Sequence, residues 1–214
     1  LDIAAATRDL RHGLTKLLMH SKWTKDRVAM YYSMPSILGW TITGRGEHKN
    51  ERYGWLWAVV DCGIQPKYIT YLDVREHGIS RSDFDVLILP SAIALSPQDA
   101  AAIRRFVEDG GTVLTDSLPA VLSGHCRKLD TPPLDDVFGV THREAWANSR
   151  ATGELQVDGQ AHGLSLGKWS LGTQLPTDNV RLSGGRALGA VGDVPAFIVN
   201  TFGKGKTCYL NVFM

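Results

Sequence analysis

Residues 83–116 constrain the fold more than any other part of the 214-residue chain. Asp83-Phe84-Asp85 leads into Val86-Leu87-Ile88-Leu89-Pro90, an unbroken apolar run with polar residues at each end. A run without alternation fits a strand buried on both faces of a parallel sheet. Ser96 follows as an N-cap, with Pro97 at the first helical position and Asp99 in the first turn. Ala100, Ile103, Phe106 and Val107 form one apolar helix face, and Gly110-Gly111 stops it. Thr112-Val113-Leu114-Thr115, ending at Asp116, is the next strand. Strand, capped helix and strand at this spacing predict a parallel pair joined by a right-handed crossover.

The same grammar extends toward the N-terminus. Arg27–Ser33 alternates as a first strand, and Lys67–Leu72 reads as a second. Between them, residues 34–50 read as a long loop, and Tyr53–Cys62 as a helix closed by Gly63. Residues 27–116 are thus expected to alternate between strand and helix, which predicts helices on both faces of a parallel sheet. Ahead of them, Ile3, Ala6, Leu10, Leu14, Leu17 and Leu18 recur at helical spacing. That amphipathic helix needs a surface against which to bury its stripe.

The second half changes character. Fifteen of the 22 glycines fall after residue 107, and long helical patterns vanish. Leu134–Phe138 reads as a short helix. Glu144–Ala147, Glu154–Val157, Ala187–Val191 and Ala196–Thr201 read as short strands. Phe202-Gly203-Lys204-Gly205-Lys206 is a turn returning into Thr207–Val212, a β-hairpin.

Composition excludes several classes. Lys+Arg of 23 against Asp+Glu of 22 leaves no basic footprint, so nucleic acid is not an expected partner. No apolar run reaches about 18 residues, so no membrane span is expected. Three widely spaced cysteines form no metal motif and no closed disulfide framework, and Cys62 and Cys208 read as small buried hydrophobes. The seven histidines show no HxH, HxxxH or HExxH spacing, so no metal and no cofactor are expected. The chain starts at Leu1 and stops within a strand-like run, so it reads as a piece of a longer polypeptide of undetermined compartment.

The candidate site residues sit where an open α/β sheet binds ligands, beyond the carboxyl ends of its strands. They are Asp73, Ser91, Asp116 and Ser117, with Trp40 and His48 in the loop region after the first strand, and His125 beyond the last. A nucleophile elbow needs small flanking residues, and Ser117 lies between Asp116 and Leu118-Pro119, a poor match. Cys126 beside His125 is adjacent in sequence, whereas working Cys/His dyads are usually distant. Asp135-Asp136 and Asp83/Asp85 read as ordinary solvated carboxylates. Trp55 and Trp57, two apart on a helix, point in different directions, one into the core and one outward. A Trp40 exposed on its loop would suit a sugar ring or a protein interface.

Three stretches together resemble a known family. They are Asp85–Ser91 with Leu95-Ser96-Pro97 and Ile103–Asp116; Val28–Ser36; and Phe202–Lys206 leading into Cys208-Tyr209-Leu210. Over residues 25–214 the chain resembles the β-galactosidase trimerisation domain of glycoside hydrolase family 42. The resemblance implies a flavodoxin-like three-layer α/β sandwich with a mostly parallel sheet, similar to class I glutamine amidotransferases, and a β-rich C-terminal half. It implies that residues 1–24 lead out of a preceding catalytic domain of the same polypeptide, and that 25–214 form a homo-oligomer, a trimer. Amidotransferases carry a cysteine at the elbow and a later His-x-Glu. Here Asp116-Ser117 holds the elbow and no histidine follows His162, so the resemblance implies a lost site. Three readings stand at this point: a non-catalytic oligomerisation domain; a hydrolase using Ser117 or Cys126 with His125 or His142; and a carbohydrate-binding module using Trp40.

Overall fold

The computed structural model describes residues 7–8, 13–21, 26–44, 48–143, 150–161 and 164–214. Its described helices and strands, in chain order, are α1 (Thr15–His20), β1 (Val28–Tyr32), α2 (Met34–Thr43), α3 (His48–Asp61), β2 (Lys67–Thr70) and α4 (Tyr71–His77). Next come β3 (Val86–Leu89), β4 (Ala94–Leu95), α5 (Pro97–Glu108), β5 (Thr112–Asp116), β6 (Leu122–Ser123), α6 (Asp135–Phe138) and β7 (Val140–His142). The C-terminal part holds β8 (Thr152–Ala161), β9 (Leu164–Gln174), β10 (Val180–Leu182), β11 (Arg186–Val191), β12 (Val194–Phe202) and β13 (Gly205–Leu210).

One nine-stranded sheet runs in the order β2-β1-β3-β5-β13-β12-β11-β8-β9. The half from β2 to β13 is parallel, and the half from β13 to β9 is antiparallel. The fold is therefore mixed α/β with a β-rich C-terminal half. Alternation along the strands sets the two layers. Ala29, Tyr31, Leu87 and Leu89 share a core with Val74 of α4, Ile103 and Phe106 of α5 and Phe138 of α6. Met30 and Ile88 face the other way, against Trp55 and Val59 of α3. The expected capping of α5 is observed: Ser96 Oγ accepts the Asp99 amide at 3.1 Å, and Asp99 reaches back to the Ser96 amide at 3.2 Å. Arg104 then ties α5 to α6 through two bonds to Asp136, at 2.6 and 2.8 Å.

Several expectations need correction. Residues 34–43 are not a loop but α2, because Ser33 accepts the Ser36 amide as an N-cap and Pro35 lies in the first turn. Lys67–Leu72 breaks at Thr70, whose capping box with Asp73 starts α4. Cys62 is exposed at the end of α3, whereas Cys208 is partly buried, its thiol pushed up to about 12 by burial. The 141–183 region contains the unforeseen strand β9, which pairs with β8 along its length. The expected strand at 144–147 lies outside the described residues. The leading helix is described at Thr15–His20, and none of those residues is buried.

The β12–β13 hairpin turns at Gly203, in the left-handed region at φ 58°. Gly205 beside it has a different constraint, a close approach. A Cβ there would lie 2.2 Å from the Val107 carbonyl oxygen and 2.3 Å from that of Gly111, both rigid backbone. Gly205→Ala is expected to cost about 3 kcal/mol, at the upper end for overpacking. Denaturant unfolding checks this, and an unchanged midpoint would contradict the contact.

Candidate functional site

The crevice beyond the carboxyl ends of β1, β3 and β5 is the place where such a sheet would hold a ligand. Here the chain's own residues stitch it shut. Ser33, just past β1, donates its hydroxyl to the Ala94 carbonyl at 3.2 Å. Ser36 accepts the Ala94 amide at 3.0 Å. Trp40, 2% exposed, lays its ring over this end of the sheet and donates Nε1–H to the Ser91 carbonyl at 3.0 Å. Its neighbours are Ile93, Ala94, Leu118, Val121 and Leu122. A buried ring with a satisfied N–H offers no face to a sugar, which removes the support for a carbohydrate module built on Trp40.

Asp116 ends β5 with no exposed surface, and its Oδ1 accepts the Ser91 amide. Asp116 Oδ2 and the Trp55 indole nitrogen are both buried without a hydrogen-bond partner. Trp55 is close enough to favour the carboxylate, but desolvation outweighs it and pushes Asp116 up to about 7. A raised carboxyl acid in a cleft often marks general acid chemistry. This one has no route to a substrate.

The following turn is strained: Ser117 at φ 28° and Leu118 at φ 49° are consecutive left-handed residues, and Ser91 at φ 44° mirrors them after β3. Asp116 and Leu118-Pro119 lack the small flanks of a nucleophile elbow, yet the turn carries the strain of one. Ser117 is fully buried, however, and donates its hydroxyl to the Val212 carbonyl at 3.2 Å. Residues 211–214 close the rest of the crevice. Asn211 donates to the Thr177 and Pro195 carbonyls at 2.9 and 3.2 Å, Phe213 packs on the Trp40 cluster, and Met214 on the Trp55 cluster.

The expected bases lie elsewhere. His142 is buried, and its Nδ1 is 2.6 Å from Asp135 Oδ1. Nδ1–H donating to that carboxylate leaves Nε2 to accept the Tyr209 hydroxyl at 3.2 Å. This Asp–His–Tyr chain resembles part of a catalytic relay, but it ends on a buried phenol rather than a nucleophile. Burial drives that phenol's pKa up further, so it stays neutral. Asp135 is thus not the solvated carboxylate expected from its place at a helix start. Cys126 Sγ points to the Pro35 carbonyl at 3.4 Å, its thiol pushed up by burial, and His125 beside it is exposed. His125 lines an open cavity of about 770 Å³ with Arg75, Gln98 and Arg127. Asp73 is the capping carboxylate of α4, held below the usual range by bonds from the Thr70 amide and hydroxyl, each at 2.7 Å. His48 starts α3, and its side chain lies outside the described residues, as does His162. Among the described residues no His, Cys, Asp and Glu group could hold a metal ion, and no helix is long and apolar enough to cross a membrane.

The structure therefore brings Trp40, Ser91, Asp116 and Ser117 together, but as a seal. Ser33 is readable from sequence as the end of the first strand, but Ser36, Trp55 and the 211–214 segment that complete the seal are not. The Ser33-Met34-Pro35 cap signal would have revealed α2. Nothing local foretells where residues 211–214 pack.

The family model for the β-galactosidase trimerisation domain matches residues 48–213. The chain belongs to that family. The trimerisation domain is 31% identical over 142 residues to the β-galactosidase BgaA of Planococcus sp. (strain 'SOS Orange'), covering 60% of this chain and 20% of that protein. BgaP of Planococcus sp. (strain L4) matches to the same extent. Among solved structures, the β-galactosidase of Bacillus circulans sp. alkalophilus aligns with TM-score 0.65 and 21% identity, over 88% of this chain and 28% of that one. The polyextremophilic β-galactosidase of Halorubrum lacusprofundi gives 0.68 and 16%, over 91% and 29%. The last two show the shared fold. The trimerisation domain spans about a fifth of the length of the curated relatives it matches.

Proposed function

We propose that this trimerisation domain is a non-catalytic accessory and oligomerisation unit of a β-galactosidase-like glycoside hydrolase. Residues 25–214 would form the unit, and residues 1–24 would lead from a catalytic domain that carries the hydrolytic carboxylates. The observation that carries this reading is the sealed crevice. Ser117 and Cys126 are each bonded to a backbone carbonyl, and His142 is committed to Asp135 and Tyr209. A hydrolase built on Ser117 or Cys126 with a histidine needs nucleophile and base within about 3 Å of each other and open to substrate. The parallel half of the sheet runs β2-β1-β3-β5-β13, the 2-1-3-4-5 order of flavodoxin-like folds, which supports descent from an amidotransferase-like core whose site has been lost. Exposed Met34, Leu38 and Ile42, at i, i+4 and i+8 along α2, support contact of this helix with the preceding domain or a neighbouring subunit.

Light scattering of the purified chain at micromolar concentration tests the reading. The expected result is three times the monomer mass, without hydrolysis of a nitrophenyl β-galactoside. A monomer, or turnover abolished by Ser117→Ala, would overturn it.

A further inference from the structure

Beside the sealed crevice lies the open cavity of about 770 Å³, within the size range of small-molecule sites. Its walls come from three parts of the chain. β4 and β6 pair in parallel, Ala94 with Leu122 and Leu95 with Ser123, so the segments that follow them leave side by side. One opens α5 at Ser96-Pro97-Gln98, and the other turns through Ser123–Arg127. Arg75 of α4 forms the third wall. Among the described residues the lining is cationic and holds no carboxylate: Arg75, His125 and Arg127, with Gln98 and Ser123 between them.

The donors on two of these walls are uncommitted. Ser123 Oγ accepts the Arg127 amide at 3.2 Å and the His125 amide at 3.4 Å, which fixes the turn. Cys126 between them is held at φ 57°, with its thiol anchored on the Pro35 carbonyl. Backbone strain of this kind gathers at binding sites. Among the described residues neither the His125 ring nor the Arg127 guanidinium forms an ion pair. The first turn of a helix leaves amides without an intrahelical acceptor. In α5 the Asp99 amide goes to Ser96 Oγ and the Ala100 amide to the Ser96 carbonyl, while Pro97 has none. The Gln98 amide remains for a ligand.

The third wall is held loosely. Arg75 lies 3.6 Å from Asp99 Oδ2, beyond hydrogen-bond distance, and 4.9 Å from the centre of the Tyr71 ring. Asp99 is buried, and its Oδ1 has no hydrogen-bond partner. The Tyr31 hydroxyl is buried without a partner too, within electrostatic reach of both Asp99 and Arg75. Burial and the Asp99 charge push its pKa up, so it keeps its proton. Buried polar groups without partners are rare and call for an arrangement in which they are met.

We propose that this cavity binds the phosphate group of a small hydroxylated molecule, with Arg127, His125 and the Gln98 amide as donors and Arg75 turning from Asp99 to join them. The Tyr31 O–H then donates to Asp99 in place of Arg75, so the buried carboxylate keeps a partner. Donors arriving from three elements suit a tetrahedral anion better than a planar carboxylate, which one arginine fork satisfies. The cavity is larger than a phosphate, and the Gln98 and Ser123 side chains offer hydrogen bonds to the hydroxyls of its carrier. The proposal is independent of the oligomerisation reading.

Calorimetric titration of the 214-residue chain with glucose 6-phosphate, inorganic phosphate and glucose tests it, with circular dichroism as the fold control. Glucose 6-phosphate is expected to bind saturably, inorganic phosphate at least about tenfold more weakly, and glucose not at all. Arg127→Ala is expected to weaken glucose 6-phosphate at least about tenfold, the worth of one charge-assisted hydrogen bond, with an unchanged spectrum. Tyr31→Phe keeps the ring and is expected to weaken it at least about threefold, because Asp99 then holds Arg75 back. Equal affinity for inorganic phosphate overturns the carrier and leaves the anion site. Unchanged affinity in Tyr31→Phe overturns the exchange at Arg75. No saturation by either phosphate, or full affinity in Arg127→Ala, overturns the site itself.

Discussion

Trp40→Ala is expected to lower the free energy of unfolding by about 3–5 kcal/mol, the range for truncating a fully buried aromatic side chain. The ring is 2% exposed and packs on Ile93, Leu118 and Leu122, with Phe213 behind it. Removing it leaves a cavity where the crevice is now plugged. It also deprives the buried Ser91 carbonyl of its indole donor. Ser91 is held at φ 44°, so the turn loses a clamp as well as a neighbour. Denaturant unfolding at fixed protein concentration measures the loss. A change below about 1 kcal/mol would mean that the ring does not seal the sheet end. Trp40→Phe keeps most of the volume but not the N–H, and it separates packing from hydrogen bonding.

Asp116→Asn is expected to flatten the dependence of stability on pH between about 4 and 7. The carboxyl has a folded value of about 7 against an ordinary 3.8, because burial disfavours its ionised form. In that window the folded chain holds a proton that the unfolded chain has released. Stability from this group is therefore full below about pH 4, falls as pH rises, and levels off above about 7. At about 1.4 kcal/mol per unit, the fall amounts to roughly 4 kcal/mol at most. Asp73, Asp85 and Asp136 have depressed values, so their contributions have the opposite sign and are lost below pH 3.8. The window from 4 to 7 lies above the range of those three carboxylates, and the histidines that titrate within it are common to both chains, so the difference between wild-type and variant profiles reports Asp116. Asparagine keeps an oxygen for the Ser91 amide, but its Nδ2 meets the Trp55 N–H unfavourably, so the slope is the readout rather than absolute stability. Wild-type and variant profiles of equal slope would show that Asp116 does not carry the buried proton.

Much of the core was legible from local pattern. The apolar run at Val86–Leu89 and the Ser96-Pro97-Asp99 start of α5 each depend on neighbours a few residues away, so the strand–helix–strand unit followed directly. Trp55 and Trp57 separated as their spacing required, one at 4% and the other at 65% exposure. The misreadings share a different cause. Glycine, serine and threonine around Met34–Thr43 suggested a loop, but the Ser33 cap and the docking of Trp40 outweighed weak helix propensity. Asp135 looked solvated because nothing within a few residues reveals that His142 folds back onto it beside Tyr209, 67 residues further along.

The candidate site divides along the same line. Sequence alone identified which residues end the parallel strands, Ser91, Asp116 and Ser117 among them, because strand ends follow from apolar runs and their polar boundaries. It also identified the absence of a metal spacing or a small-residue elbow. Whether those strand ends form a pocket depended on contacts distant in the chain: Ser117 with Val212, Trp40 with Ser91, and Met214 against the α3 cluster. Burial is a property of the packed whole. A serine or a carboxylate with ordinary local chemistry becomes part of a seal only when another segment removes its water.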